Sequence, residues 1–242
     1  MIAAPPRGAE LAPWYDLYFT RLMHLWYVKA AGTSAFMAIF FYGYFSALNA
    51  PVHPVTVMPT TPFDEWVAFW PPAFYLYASL WVYTSLVPAL QPNFLRLVAY
   101  GCAIGALCLT GLALFTFFPT AVPYASASWT ADPSLSLLHS LDAPGNAFPS
   151  LHVATALFSA LCLHKLLHTM PSPGWLKVLN WVWGALIVYS TLAIKQHVMW
   201  DVVGGMVLAL VFGWLYTRLE KRLGVWAAEG VEAKRDPSED SF

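Results

Sequence analysis

The chain has 242 residues, of which 59% are hydrophobic and only 10% charged, with a formal net charge of −1. A soluble domain of this size could not cover itself with so few charges, so the chain belongs in a membrane, and the near-neutral balance excludes nucleic acid as a partner. Glu10 and Asp16 interrupt the first residues, and no small-residue cleavage site follows an apolar core; a cleaved leader is not expected, and insertion relies on the spans themselves.

Residues 1–29 form an N-terminal segment in which Trp14, Tyr15, Tyr18, Phe19, Trp26 and Tyr27 alternate with Asp16, Arg21, His24 and Lys29. That mixture suits a helix lying in the headgroup layer. Six apolar segments follow, at about 30–49, 72–90, 97–118, 149–167, 178–194 and 202–218. Each approaches the length a bilayer requires. The expected fold is therefore all-α: a polytopic six-helix membrane bundle over 30–223, with an N-terminal interfacial helix and a polar, disordered cytoplasmic tail at 224–242. Pro71 and Pro72 open the second span, where a missing N–H costs little. Cys102, Cys108 and Cys162 lie in apolar runs without metal-ligand spacing and are expected to be buried thiols.

Lys and Arg set the expected orientation. Arg7, Arg21, Lys29, Arg96, Lys165, Lys177, Arg218, Lys221 and Arg222 all fall on one side of the six-span scheme. The opposite side carries Asp64, Glu65, Asp132, Asp142 and Asp201 with a single basic residue, Lys195. Both termini are thus expected in the cytoplasm. His152, at the start of the fourth span, and His197 with Asp201, at the start of the sixth, then emerge together at the outer face.

That coincidence points to chemistry. His197 and Asp201 are four residues apart, so the carboxylate can hold one imidazole nitrogen and free the other for nucleophilic work. Phosphoryl transfer needs such a nucleophile, a proton donor for the leaving group, and N–H or positive character around the other oxygens. His152 is the candidate donor. Pro149 in a first helical turn with the Ser150 hydroxyl beside it makes an anion cradle, and Lys195 adds a positive charge. The competing structural reading makes His152 a polar cap and the His197–Asp201 pair an incidental accompaniment to one. Asp64 and Glu65 read as helix caps, and His24, His53, His139, His164 and His168 as interfacial side chains.

Phe148-Pro149-Ser150-Leu151-His152, together with Ser190-Thr191 followed by His197 and Asp201, resembles the second and third signature motifs of the type 2 phosphatidic acid phosphatase (PAP2) superfamily. The resemblance implies a six-helix core, no metal or other cofactor, a phosphohistidine at His197 held by Asp201, and His152 as acid. Ser150 matches that superfamily's phosphate-binding serine. Tyr124 and Thr191 stand where it carries arginines, and its upstream lysine is absent; with Leu151 in the second motif, these departures resemble the branch containing inositol phosphorylceramide synthases. Lys195 replaces part of the missing charge in this reading. One lysine with neutral donors suits a singly charged phosphodiester better than a phosphomonoester of about −1.5 to −2 charge.

The expected protein is a bacterial inner-membrane enzyme transferring a head group from a phosphodiester lipid at the outer face, to water or to an alcohol or polyol. Two alternatives remain open: a lipid phosphate phosphatase acting on phosphatidic acid or an isoprenoid phosphate, and a non-catalytic lipid binder or transporter on the same scaffold.

Overall fold

The computed structural model describes residues 14–49, 52–123 and 146–223. Tyr124, the loop holding Asp132, His139 and Asp142, and the polar tail lie outside the described residues. Nine helices and two very short strands run in the order α1 (Trp14–Met23), α2 (Trp26–Asn49), β1 (Thr56–Val57), α3 (Pro62–Trp66), α4 (Ala73–Ala78), α5 (Leu80–Ala89), α6 (Phe94–Phe117), β2 (Thr120–Ala121), α7 (Leu151–Thr169), α8 (Gly174–Ala193) and α9 (Met199–Arg222) among the described residues.

Among the described residues, five helices are long and apolar enough to cross a membrane: Trp26–Leu48, Phe94–Phe117, Leu151–Thr169, Gly174–Ala193 and Met199–Arg222. They mark the chain as an integral membrane protein, since a helix satisfies its own backbone polar groups in hydrocarbon. The expected second span is divided. α4 and α5 meet at Ser79, whose hydroxyl donates to the Leu76 carbonyl at 2.6 Å and accepts the Trp183 indole N–H at 2.9 Å. Such back-bonding bends a helix. The backbone ladder continues through this point, the Ser79 N–H donating to the Tyr75 carbonyl and the Tyr83 N–H to the Ser79 carbonyl, both at 3.0 Å.

The core lies between α5, α6, α7, α8 and α9, around Leu80, Tyr83, Leu107, Phe158, Ile187 and Ala209. Without a hydrophobic force between helices in lipid, close packing and interhelical hydrogen bonds hold such a bundle. Here the Tyr83 hydroxyl donates to Asn180 Oδ1 at 2.7 Å, and the Asn180 amide donates to the Ala160 carbonyl at 3.0 Å, joining α5, α8 and α7. α2 is peripheral. Cys108 and Cys162 are buried as expected, but Cys102 is exposed on the outer surface of α6.

The two ends of the bundle differ. At one, β1 and β2 pair in parallel, Thr56 opposite Thr120. Thr120 then accepts the Ala147 N–H through its carbonyl at 3.0 Å and the Phe148 N–H through its hydroxyl at 2.7 Å. The connection into α7 is thereby pinned beside the start of α9. At the other end the Lys29 ammonium donates to the Ala89 carbonyl at 2.9 Å, Tyr18 and Ser172 share a hydrogen bond of 2.5 Å, and Lys165 pairs with Glu220. Those contacts bring the first basic residues, the α5 terminus and the α7–α8 turn together, away from His152.

Candidate active site

The site is assembled where α7 and α9 begin. Ser150 caps α7, its hydroxyl oxygen accepting the Val153 N–H at 3.2 Å, and its own N–H donates to the Asp201 carbonyl at 3.0 Å. Pro149 stands one position before the cap rather than in the first helical turn, because the helix starts only at Leu151. The first amides after the cap still lack intrahelical acceptors, as at any helix start. Gly205 makes the approach of the two helices possible: a Cβ there would lie 2.5 Å from the Ser150 carbonyl oxygen and 2.9 Å from Val153 Cβ. Gly204 likewise leaves room for the Phe148 ring.

His197 sits in the turn before α9 rather than in the helix, with Val198 as N-cap. The α8 terminus explains its placement. Lys195 takes a left-handed backbone (φ 60°). Its N–H donates to the Leu192 carbonyl at 3.1 Å, and the Gln196 N–H reaches back to the Thr191 carbonyl at 3.1 Å, joined by the His197 N–H at 3.2 Å. This is a Schellman closure with lysine in the position that glycine usually holds. It turns the chain at once, so that Gln196 and His197 face the start of α7.

Asp201 serves two purposes. Its Oδ2 accepts the Val198 N–H at 2.9 Å, closing the first turn of α9, and lies 3.5 Å from His197 Nδ1. Capping and the His–Asp pairing are therefore one arrangement, not alternatives. The His197 and His152 rings are 6.5 Å apart between centroids. His152 stacks on Tyr77 at 4.0 Å, with its Nδ1 3.2 Å from the Tyr77 hydroxyl. His152 Nε2, Gln196 Nε2, His197 Nδ1 and Asp201 Oδ1 are buried without a hydrogen-bond partner. Of these, His197 Nδ1 faces Asp201, while His152 and Gln196 border one cavity, where their unsatisfied nitrogens leave hydrogen-bonding capacity unused by the protein.

Two residues expected to contact phosphate are engaged elsewhere. The Lys195 ammonium donates to the carbonyls of Asp64 at 2.6 Å and Val67 at 2.5 Å, the end of α3. Burial lowers its pKa from the ordinary lysine value, against the upward pull of the Asp64 carboxylate. The Thr191 hydroxyl donates to the Val188 carbonyl of its own helix at 2.8 Å, so Thr191 contributes its carbonyl to the His197 turn instead. Ser150 is in place, fully buried, with its oxygen occupied as a cap. Tyr124 lies outside the described residues.

Three residues carry the site that composition and spacing did not single out. Tyr77 holds His152. Asp64, expected only as a local cap, accepts the Thr61 N–H at 2.7 Å and also the Met199 N–H at 2.7 Å, tying α3 to the first turn of α9. Gln196 is only 8% exposed and borders the same cavity as His152. The only hint of its role was its place beside the nucleophile candidate.

That cavity, of about 540 Å³, runs from His152 and Gln196 down between α2, α5 and α6 to Lys29 and Phe94. Its α2 wall extends from Val28 to Phe45. At 1.5 Å per residue that is about 25 Å, most of the ~30 Å hydrocarbon thickness. Phe36, Phe40 and Ile104 give it an apolar middle.

No curated protein and no solved structure matches the chain. The stretch from residue 117 to residue 224, which contains α7, α8, α9 and the whole His152–His197–Asp201 group, matches the family model of the PAP2 superfamily.

Proposed function

We propose that this integral membrane protein is a PAP2-type enzyme that transfers a lipid-linked phosphoryl group through a phosphohistidine at His197. The matched superfamily consists in general of phosphatases and phosphotransferases, and membrane lipid phosphates are the substrate class it implies. The observation that carries the reading is the separation of the two imidazoles, 6.5 Å between ring centroids, with a carboxylate 3.5 Å from one of them. A nucleophile at ~3–3.5 Å from phosphorus and a proton donor within ~2.6–3.2 Å of the leaving oxygen fit between rings so spaced.

The reaction then runs in two halves. His197 Nε2 attacks phosphorus while Asp201 holds Nδ1–H and stabilises the positive charge that develops on the ring. The bond from phosphorus to the leaving oxygen breaks, and that oxygen takes a proton from His152 Nε2. In the second half His152 Nε2 removes the proton of water or an alcohol, the new oxygen attacks phosphorus, and the N–P bond to His197 breaks. The Tyr77 hydroxyl orients the His152 ring throughout.

The favoured substrate is a phosphodiester lipid, with head-group transfer to an alcohol or polyol as the net reaction. The donors beside His152, the Tyr77 hydroxyl and the Gln196 carboxamide, are neutral, which suits one negative charge better than two. The apolar cavity leading away from His152 supports a lipid over a water-soluble ester. The positive residues gathered at the far end of the bundle support a site on the outer face, with the termini inside; a bacterial inner membrane agrees with this arrangement.

Incubation of purified protein with ³²P-phosphatidylinositol and ³²P-phosphatidic acid tests the reading. Label should become acid-labile and protein-bound through His197, and be absent in His197→Ala. Saturable lipid association without release of phosphate or head group, and unchanged by His152→Ala, would make the chain a binder instead.

A further inference from the structure

Gln196 is the residue immediately before the nucleophile, and its side chain is more than nine-tenths buried. Its Nε2 has no hydrogen-bond partner, and it borders the cavity together with His152. Leaving a buried donor unsatisfied is destabilising, whereas an apolar side chain of the same shape would cost nothing comparable. A structural spacer has no need of the amide. A ligand that brings an acceptor removes the penalty.

The acceptor that fits follows from the neighbours. His152 Nε2 is unpartnered in the same region, and His197 lies next in the chain. The Schellman closure at Lys195 fixes the Gln196 backbone through its N–H to the Thr191 carbonyl, and the side chain rooted there is buried. Lys195, the nearest cation in sequence, directs its ammonium at the Asp64 and Val67 carbonyls. Gln196 thus brings a neutral, unsatisfied N–H donor to the cavity that His152 borders, one residue from His197.

Building on the phosphohistidine reading above, we propose that the Gln196 carboxamide donates a hydrogen bond to a non-bridging oxygen of the phosphoryl group held between His152 and His197. It stabilises the charge that builds on that oxygen as His197 attacks. Being uncharged, it also selects against a second negative charge, which makes it a determinant of diester over monoester preference.

The test compares the full-length protein with Gln196→Leu and Gln196→Glu, by turnover of ³²P-phosphatidylinositol and ³²P-phosphatidic acid and by orthovanadate binding, read as protection against thermal unfolding. Gln196→Leu should lose about 10²-fold or more in kcat, as expected for one oxyanion donor, and bind vanadate at least tenfold more weakly. Gln196→Glu should be weaker still at neutral pH, where its carboxylate repels the phosphoryl oxygens. Its activity relative to wild type should then rise as the pH falls and the carboxyl gains a proton to donate, while the Gln196→Leu ratio stays flat. A purely structural role would give no such divergence.

Gln196→Leu within threefold of wild type in both turnover and vanadate affinity would overturn the proposal. If that variant is destabilised, a flat pH ratio for a folded Gln196→Glu would overturn it equally. If wild type turns over neither lipid, the phosphohistidine reading fails first, and vanadate binding still decides whether Gln196 contacts a tetrahedral oxyanion.

Discussion

The Asp64 carboxylate accepts the Met199 backbone N–H at 2.7 Å, across 135 positions of sequence. Its other oxygen takes the Thr61 N–H and hydroxyl, at 2.7 and 2.8 Å. One buried acid thus closes the first turn of α3 and tethers the start of α9, and through α9 it fixes where Asp201 meets His197. Asp64→Ala should cost about 1–3 kcal/mol of stability, through the lost caps and the amide left unsatisfied. Thermal unfolding in detergent should show the loss, with kcat falling and the KM for the lipid little changed.

Lys195 separates a backbone effect from a side-chain effect. Lys195→Ala and Lys195→Gly both remove the ammonium bridge to the Asp64 and Val67 carbonyls, but only alanine keeps the left-handed penalty at φ 60°. Lys195→Gly should therefore unfold at a higher temperature than Lys195→Ala, by about 1 kcal/mol in stability. If the ammonium served phosphate instead, both variants would raise KM strongly, while the backbone difference between alanine and glycine in unfolding temperature would persist.

Tyr77→Phe removes the hydroxyl 3.2 Å from His152 Nδ1 while keeping the stacked ring. One hydrogen bond of this kind is worth about 0.5–1.5 kcal/mol. We expect kcat to fall roughly two- to tenfold, with KM unchanged; unaltered turnover would show that His152 needs no such orientation.

Gly205→Ala should be far more damaging than Gly213→Ala. At Gly205 the new carbon meets a backbone oxygen at 2.5 Å that cannot withdraw, whereas at Gly213 it meets only the tip of Leu161 at 3.1 Å. Overpacking of the first kind costs roughly 1–3 kcal/mol and would push the starts of α7 and α9 apart. Activity and unfolding temperature should fall together in Gly205→Ala and hold in Gly213→Ala.

The cavity makes its own prediction about the lipid tail. Gly32 and Gly101 both line it, and a Cβ at either would meet nothing within 4 Å. Gly32→Leu and Gly101→Leu should fold normally yet shorten the channel at the end remote from His152. Long-tailed substrates should lose about fourfold in KM for each methylene displaced, at ~0.8 kcal/mol each. Short-chain analogues should be unaffected, and equal effects on both would place the tail elsewhere.

The chain's own pattern determined a good deal. Apolar runs of bilayer length follow from the need to hide backbone polar groups in hydrocarbon, so α2, α6, α7, α8 and α9 were legible within a few residues. The grouping of His152 with His197 and Asp201 followed from counting crossings, because residues at matching helix ends share a depth. What stayed hidden depended on contacts between distant segments. The turn at Ser79 is met by a tryptophan on another helix, and the tasks of Asp64 and Tyr77 arise only when their partners arrive. Charge proved the least readable signal: a lone lysine beside a candidate nucleophile invites phosphate, but whether its ammonium faces substrate or a carbonyl is decided by the packing of α3 against the start of α9.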